Sequence, residues 1–159
     1  MEQIKNEAVA DVLNGLIKIN NDRITGYKLV ETDMIGQTLQ GTFESMMNES
    51  VNFAENLGPY VRDFGGTPAT DGTLAGSIHQ GWINVKTAIL GKDREAILNS
   101  CEFGDKAAIE AYEAALQTDE IKNHAELSSV LVRQRASLAQ SLRVIENINR
   151  QHATNHNPS

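Results

Sequence analysis

The segment that decides how this chain folds is residues 74–90, which read LAGSIHQGWINVKTAIL. Its apolar residues recur every three or four positions, which predicts a short amphipathic helix. Turn signals precede it at residues 65–68 and 71–72, and Gly91 is expected to end it in the left-handed conformation. At about 1.5 Å per residue this helix spans roughly 25 Å, so it is long enough to carry the chain along most of a helical bundle.

Four longer helical patterns flank this segment, two before it and two after it. The apolar periodicity of helices one and two extends over residues 13–34 and 39–64, with Gly36 between them. Asp93 is a good N-cap for helix three, and helix four is expected to begin after Thr118. Because strand patterns are absent, the sequence predicts an all-α four-helix bundle.

The short helix allows two connections. As a crossover between helices two and three, it makes those two helices parallel. As a cap on one open end, it leaves an up-down-up-down bundle. We favour the crossover, because short loops are sufficient to join the helices of an up-down-up-down bundle.

A polar residue interrupts the apolar stripe near the middle of each long helix. With one arginine, these residues predict a buried polar layer: Asn20, Arg23, Ser50, Glu102, Asp105 and Gln134. Bundles build metal and cofactor chemistry in such layers, and they also place purely structural networks there. Two carboxylates facing Arg23, and Arg133 on helix four, would balance their charges without any metal.

Three motifs stand in order along the chain: LIKINNDRITGY at residues 16–27, TLAGSIHQGW at 73–82, and CEFGD at 101–105 followed by Ala111 and Tyr112. Together they resemble a bacterial ferritin-like four-helix-bundle family of unassigned function, over about residues 7–150. The resemblance implies a ferritin-like bundle with an additional short crossover helix between helices two and three. It implies no activity, because one fold hosts many functions.

A di-iron centre can be tested against the sequence. Ferritin-like di-iron proteins use a Glu from each of two helices and a Glu-x-x-His motif from each of the other two. No Glu-x-x-His occurs in this chain: Asn52 stands three residues after Glu49, and residues 133–135 of helix four read RQR. A structural network without metal is therefore our main interpretation. The alternative is one iron or manganese ion, or a reduced di-metal centre, held by Glu31, Glu102 and Asp105.

Two residues of the short helix are expected to dock it against the bundle. Trp82 lies at the centre of its apolar face, and His79 beside that face is expected to form a hydrogen bond. On the inward stripes of helices one and three, Tyr27 and Tyr112 are expected to pack in the core and reach the polar layer with their hydroxyls.

Composition excludes several classes. The net charge of -7 opposes binding to nucleic acid, and no apolar run is long enough to cross a membrane. The lone Cys101 cannot form an internal disulfide and is expected to be buried. We expect a cytoplasmic protein with a single domain over residues 1–150 and a disordered tail over 151–159, where His152 and His156 would meet on one face if the helix continued.

The sequence leaves three functions open. The first is a non-enzymatic structural or interaction protein, with a stress-related role by analogy with other ferritin-like bundles. The second is an iron- or manganese-dependent oxidoreductase or peroxide-consuming enzyme with a reduced site. The third is a module that binds a small ligand or a partner helix. A homo-oligomer, such as a dimer, is compatible with each of these functions. The sequence does not identify another protein partner.

Overall fold

A computed structural model of the chain describes residues 2–30, 37–73, 77–91 and 93–155, with the backbone alone described at 37–40, 77–79, 85 and 152–155. The helices in chain order are α1 (Glu2–Val30), α2 (Gln37–Asp63), α3 (Ser77–Leu90), α4 (Arg94–Leu116), α5 (Asp119–Lys122) and α6 (Ala125–Asn155). The described residues contain no strand, which confirms the all-α prediction. None of the described helices has the length and apolar character needed to traverse a lipid bilayer.

Contacts between α1 and α2 show that these helices run in opposite directions. Arg23 of α1 hydrogen-bonds to Ser50 of α2, and Tyr27, one turn later in α1, stacks on Phe43, two turns earlier in α2. Contacting residues of the two helices therefore pair in reverse order, as in a helical hairpin.

The same argument fixes the direction of α4. Asn20 hydrogen-bonds to Tyr112, and Tyr27, two turns later in α1, hydrogen-bonds to Asp105. Since α2 and α4 are both antiparallel to α1, they are parallel to each other. The chain between them therefore crosses the length of the bundle, and the predicted crossover is confirmed.

Three side chains of α1 hydrogen-bond to residues 67–73, the first part of the crossover segment between α2 and α3. Asn14 donates to the Thr67 carbonyl at 2.9 Å and accepts from the Ala69 amide at 2.8 Å. Further along, Asn21 donates to the Asp71 carbonyl, and Asp22 accepts from the amide and hydroxyl of Thr73. These bonds satisfy backbone groups of a segment that lacks regular structure.

Helix α3 docks through an indole held between two glycines. Trp82 is 7% exposed and packs edge-on against Tyr27. A Cβ atom placed on Gly26 of α1 would lie 2.0 Å from the indole, and one on Gly104 of α4 would lie 2.5 Å from it. Glycine is therefore required on both helices for α3 to approach this closely.

The end of α3 differs from the prediction. Gly91 does not adopt the left-handed conformation, and among the described glycines Gly65, with φ of 82°, is the one that does. The helical hydrogen bonds continue past Leu90, because the Gly91 amide donates to the Thr87 carbonyl. Asp93 caps α4 as predicted, by accepting from the Ala96 amide at 3.0 Å.

The start and end of the last long helix were also predicted wrongly. The chain after Thr118 forms only the single turn of α5, and α6 begins after His124, whose Nδ1 accepts from the Leu127 amide at 3.1 Å. This imidazole cap was not anticipated, because His is not among the usual N-cap residues. At the other end α6 continues to Asn155, so residues 151–155 of the predicted tail are helical, since extending an existing helix is favourable. The side chains of the predicted His152 and His156 pair lie outside the described residues.

The apolar core has two parts. One cluster includes Leu13, Leu57 and Leu131, and the other includes Phe43, Trp82, Ile97, Leu98, Cys101 and Ile145. On α1, α2 and α4 the buried polar residues lie between the members of these two clusters. The free Cys101 is buried, as predicted.

Candidate functional site: a buried ion-pair layer

The Arg23 guanidinium lies at the centre of the polar layer. Its side chain is fully buried and reaches from α1 to two other helices. The Nε atom donates to Asp105 Oδ1 of α4 at 2.8 Å, and Nη1 donates to Glu49 Oε1 of α2 at 2.8 Å. Nη1 is also within hydrogen-bond distance of Ser50 Oγ at 2.9 Å and the Met46 carbonyl at 3.2 Å. One side chain thus links three helices.

Asp105 is fully buried and is shared between two donors. Its second oxygen accepts from the Tyr27 hydroxyl at 2.9 Å. Burial raises the pKa of Asp105, while the charge and hydrogen bond of Arg23 oppose that change. Burial by itself lowers the pKa of Arg23, but the negative charge of Asp105 raises it above its ordinary value, so the guanidinium stays protonated.

Glu49 connects this network to α6 and to the surface. Its carboxylate accepts from Ser141 Oγ at 3.0 Å and from Ser137 Oγ, and its side chain is 17% exposed. A cleft of about 480 Å³ between α2 and α6 has Glu49, Ser137 and Ser141 in its wall. Solvent therefore reaches the edge of the layer at Glu49.

A second hydrogen-bonded group lies beside the first. Asn20 Nδ2 donates to the Tyr112 hydroxyl at 2.9 Å, and this hydroxyl donates to Gln134 Oε1 at 2.6 Å. All three side chains are buried, and burial raises the pKa of Tyr112. This chain of bonds joins α1, α4 and α6.

The structure places five of the six predicted layer residues in these two groups: Asn20, Arg23, Ser50, Asp105 and Gln134. Glu102 does not belong to the layer. Its side chain is 21% exposed and contacts Asn149 of α6 at 2.7 Å and Lys106 at 3.7 Å. The reason is rotational: residues three apart on a helix point about 60° away from each other, and this angle turns Glu102 toward the outside of the bundle.

Other predicted residues also lie away from the layer or outside the described residues. Arg133 is exposed, so it does not balance the buried carboxylates, and its neighbour Arg135 pairs with Glu113 at the surface. Glu31 and the side chain of His79 lie outside the described residues. Glu49 was considered only as a metal ligand, and the sequence did not reveal its role. The sequence signal for this role is the pair Ser137 and Ser141. They stand one turn apart on α6, so their hydroxyls can both donate to one carboxylate.

The donor set does not fit a di-iron centre. The two acidic side chains nearest the centre, Asp105 and Glu49, already share the positive charge of Arg23, and the remaining donors are hydroxyls and amides. In the part of the chain that the structure describes, no three His, Cys, Asp or Glu side chains form a group that could hold a metal ion. A divalent cation would have to lie beside the guanidinium, which repels it.

Comparison with known proteins supports the fold. A solved structure described as "ferritin like, diiron-carboxylate proteins" from Bacillus anthracis str. Ames superposes with a TM-score of 0.67 over 92% of this chain and 96% of that chain. The two sequences are 17% identical, so the likeness shows the ferritin-like fold alone. No curated protein matches the sequence significantly. Residues 8–118 match the sequence model of the family described as Domain of unknown function (DUF2383), and the chain therefore belongs to that family.

Proposed function

We propose that this protein is a non-enzymatic structural or interaction protein, a ferritin-like bundle in which an arginine takes the place of a metal centre. One observation carries the proposal: the Arg23 guanidinium is fully buried and hydrogen-bonds to Asp105 and Glu49 at 2.8 Å each. These are the carboxylates that a metal ion in the layer would need.

Electrostatics supports the proposal. Two unit charges of the same sign 4 Å apart repel by about 4 kcal/mol at an effective dielectric constant of about 20, and a divalent ion beside an arginine by about twice that. Asp105 and Glu49 attract a cation, but each already faces the guanidinium. Because the guanidinium cannot leave as a water ligand can, the layer has a permanent internal cation.

A network of this kind fixes helix register more than it adds stability. Buried ion pairs contribute little net free energy, because desolvation of the charges offsets their attraction. Arg23 pairs correctly only when α1, α2 and α4 are aligned at the observed positions. We propose this register-setting role for the layer, in place of catalysis.

Exposed apolar side chains on α3 and α4 support the interaction part of the proposal. Ile83 is 42% exposed, Leu90 is 77% exposed and Phe103 is 46% exposed. A homo-oligomer is the assembly we propose. Sedimentation velocity over a hundred-fold range of concentration tests it, and a monomer throughout that range would contradict it.

Metal analysis tests the absence of a metal centre. Protein purified without chelator is expected to contain far less than one iron or manganese per chain, and anaerobic addition of Fe²⁺ followed by air is expected to give no oxo-bridged di-ferric absorption band. Such a band at two irons per chain would overturn the proposal if Asp105→Asn abolishes it while Glu113→Gln, a change at an exposed carboxylate, does not.

The alternative function is a metal-dependent oxidoreductase with a reduced site. Its support is the description of the structural neighbour as a di-iron-carboxylate protein, together with the partial exposure of Glu49 in the cleft between α2 and α6. The same iron titration decides between the two functions, because only the oxidoreductase requires metal to bind at the layer.

A further inference from the structure

The two hydrogen-bonded groups of the polar layer leave three buried atoms without a hydrogen-bond partner in the described part of the protein. Among the described residues, Arg23 Nη2, Asn20 Oδ1 and Gln134 Nε2 make no hydrogen bond to another protein atom. The three side chains are between 0% and 4% exposed. Buried polar groups are nearly always paired with protein or with ordered water, so these three atoms require a partner.

The geometry brings the three atoms to the same region of the core. Asn20 and Gln134 both bond to the Tyr112 hydroxyl through their other amide atom, so Asn20 Oδ1 and Gln134 Nε2 each lie within a few ångströms of that hydroxyl. Arg23 follows Asn20 by three residues, and because both side chains are buried, both point from α1 into the core. The carboxylate that accepts from Arg23 Nη1 also accepts from a serine of α6 that lies one turn from Gln134, so the first group lies beside the second.

We infer that one buried water molecule bridges Arg23, Asn20 and Gln134 at the centre of the bundle. It accepts hydrogen bonds from Arg23 Nη2 and Gln134 Nε2 and donates one to Asn20 Oδ1. Three hydrogen bonds are typical of a buried water in a protein. The bridge joins the two groups into one network that includes α1, α2, α4 and α6.

The chemistry of the three atoms selects water over an ion. A metal cation is disfavoured because two of the three atoms are N–H donors, one of them on a charged guanidinium. An anion is disfavoured because Asn20 Oδ1 is an acceptor and because Asp105 and Glu49 together carry more negative charge than Arg23 neutralises. A neutral molecule that both donates and accepts is compatible with all three.

A crystal structure of the wild-type protein at about 1.5 Å resolution, from crystals grown in bromide, tests the inference. The expected result is a peak of water density between 2.6 and 3.2 Å from all three atoms, the range of ordinary hydrogen bonds, without anomalous signal. An anomalous peak of bromide or of a metal at this position would overturn the inference. So would the absence of a peak, with the amides rotated to bond directly to each other or to Arg23.

A measurement in solution uses two matched variants on α6. Oxygen-17 relaxation dispersion counts the water molecules that stay in a protein for longer than nanoseconds. Gln134→Met is expected to lose one such water relative to the wild type, whereas Gln140→Met, at an exposed glutamine of the same helix, is expected to keep it. An equal count in all three proteins would contradict the inference. If Gln134→Met does not fold, the crystallographic result alone decides.

Discussion

At the scale of single residues, the layer depends on a side chain, the Arg23 guanidinium, that does not lose its proton in a protein. A guanidinium remains protonated in proteins, so removing its partners leaves a buried charge, and removing it leaves two carboxylates without their cation. The Arg23 side chain is charged and fully buried, and it bonds from α1 to two other helices. The energetic importance of the layer should therefore appear as coupling between residues more than as the effect of any one of them.

A double-mutant cycle measures this coupling. Arg23→Met and Asp105→Leu are each expected to lower the free energy of unfolding by about 3–5 kcal/mol, because each leaves a buried charge with fewer partners. The double variant is expected to lose much less than the sum, since apolar side chains replace both members of the pair. Urea denaturation gives the three values. Additive losses would mean that the pair does not act as a unit.

The control for this cycle is the surface pair of Arg135 and Glu113. Their side chains are 43% and 48% exposed and lie 2.7 Å apart. Exposed ion pairs contribute about 0–1 kcal/mol, so the corresponding cycle is expected to give a coupling below about 1 kcal/mol. A coupling equal to that of Arg23 and Asp105 would show that burial is not the cause of the difference.

Residue periodicity predicted much of the layer and missed the rest for identifiable reasons. Asn20, Asp105 and Gln134 interrupt apolar stripes, and a stripe points at the core. Ser50 belongs to the inward-facing stripe of α2, and Glu49, one position earlier, lies beside that stripe. The Glu49 side chain is nevertheless long enough to reach inward to Arg23. Periodicity locates the Cβ atom and does not specify how far a flexible side chain extends, so the second carboxylate was not predicted.

At the scale of helices, the docking of α3 depends on the absence of side chains at two glycines of the neighbouring helices α1 and α4. The indole of Trp82 occupies the positions that Cβ atoms on Gly26 and Gly104 would take. The length and apolar face of residues 74–90 predicted a crossover helix that docks through Trp82. They did not predict where on α1 and α4 the indole lies, because a glycine on another helix gives no pattern by itself.

Two glycine substitutions on α1 test this docking against helix propensity. Gly15→Ala is expected to raise the free energy of unfolding by about 0.5–1 kcal/mol, because alanine is the better helix former and no atom lies within 4 Å of the new Cβ. Gly26→Ala is expected to lower it by about 1–3 kcal/mol and to shift the Trp82 fluorescence to longer wavelength, since the methyl group displaces the indole. A gain in stability from both substitutions would show that α3 is not held as described.

At the scale of the whole molecule, the tyrosines make the fold sensitive to alkaline pH. The chain has three tyrosines, of which Tyr27 and Tyr112 are buried in the layer while Tyr60 is half-buried beside Glu126. Burial raises the pKa of Tyr27 and Tyr112 above the ordinary 10.0. The unfolded chain therefore releases these protons at a lower pH than the folded chain does. The stability associated with the neutral phenols is fully present below pH 10 and is lost as the pH rises above it.

A spectroscopic titration from pH 8 to 13 tests whether the fold loses stability as the buried tyrosines ionise. Absorbance at 295 nm reports ionised tyrosine, and circular dichroism at 222 nm reports helix. We expect the signal of Tyr60, whose pKa is raised by its hydrogen bond to Glu126, to grow while the helices remain intact, and the signals of Tyr27 and Tyr112 to appear together with loss of helix. Tyr112→Phe is the control, and it should reduce the late absorbance change by about half, because one of the two buried phenols is gone. Full ionisation of all three tyrosines with the helical signal unchanged would mean that solvent enters the layer without unfolding, and it would contradict the expected link between these protons and stability.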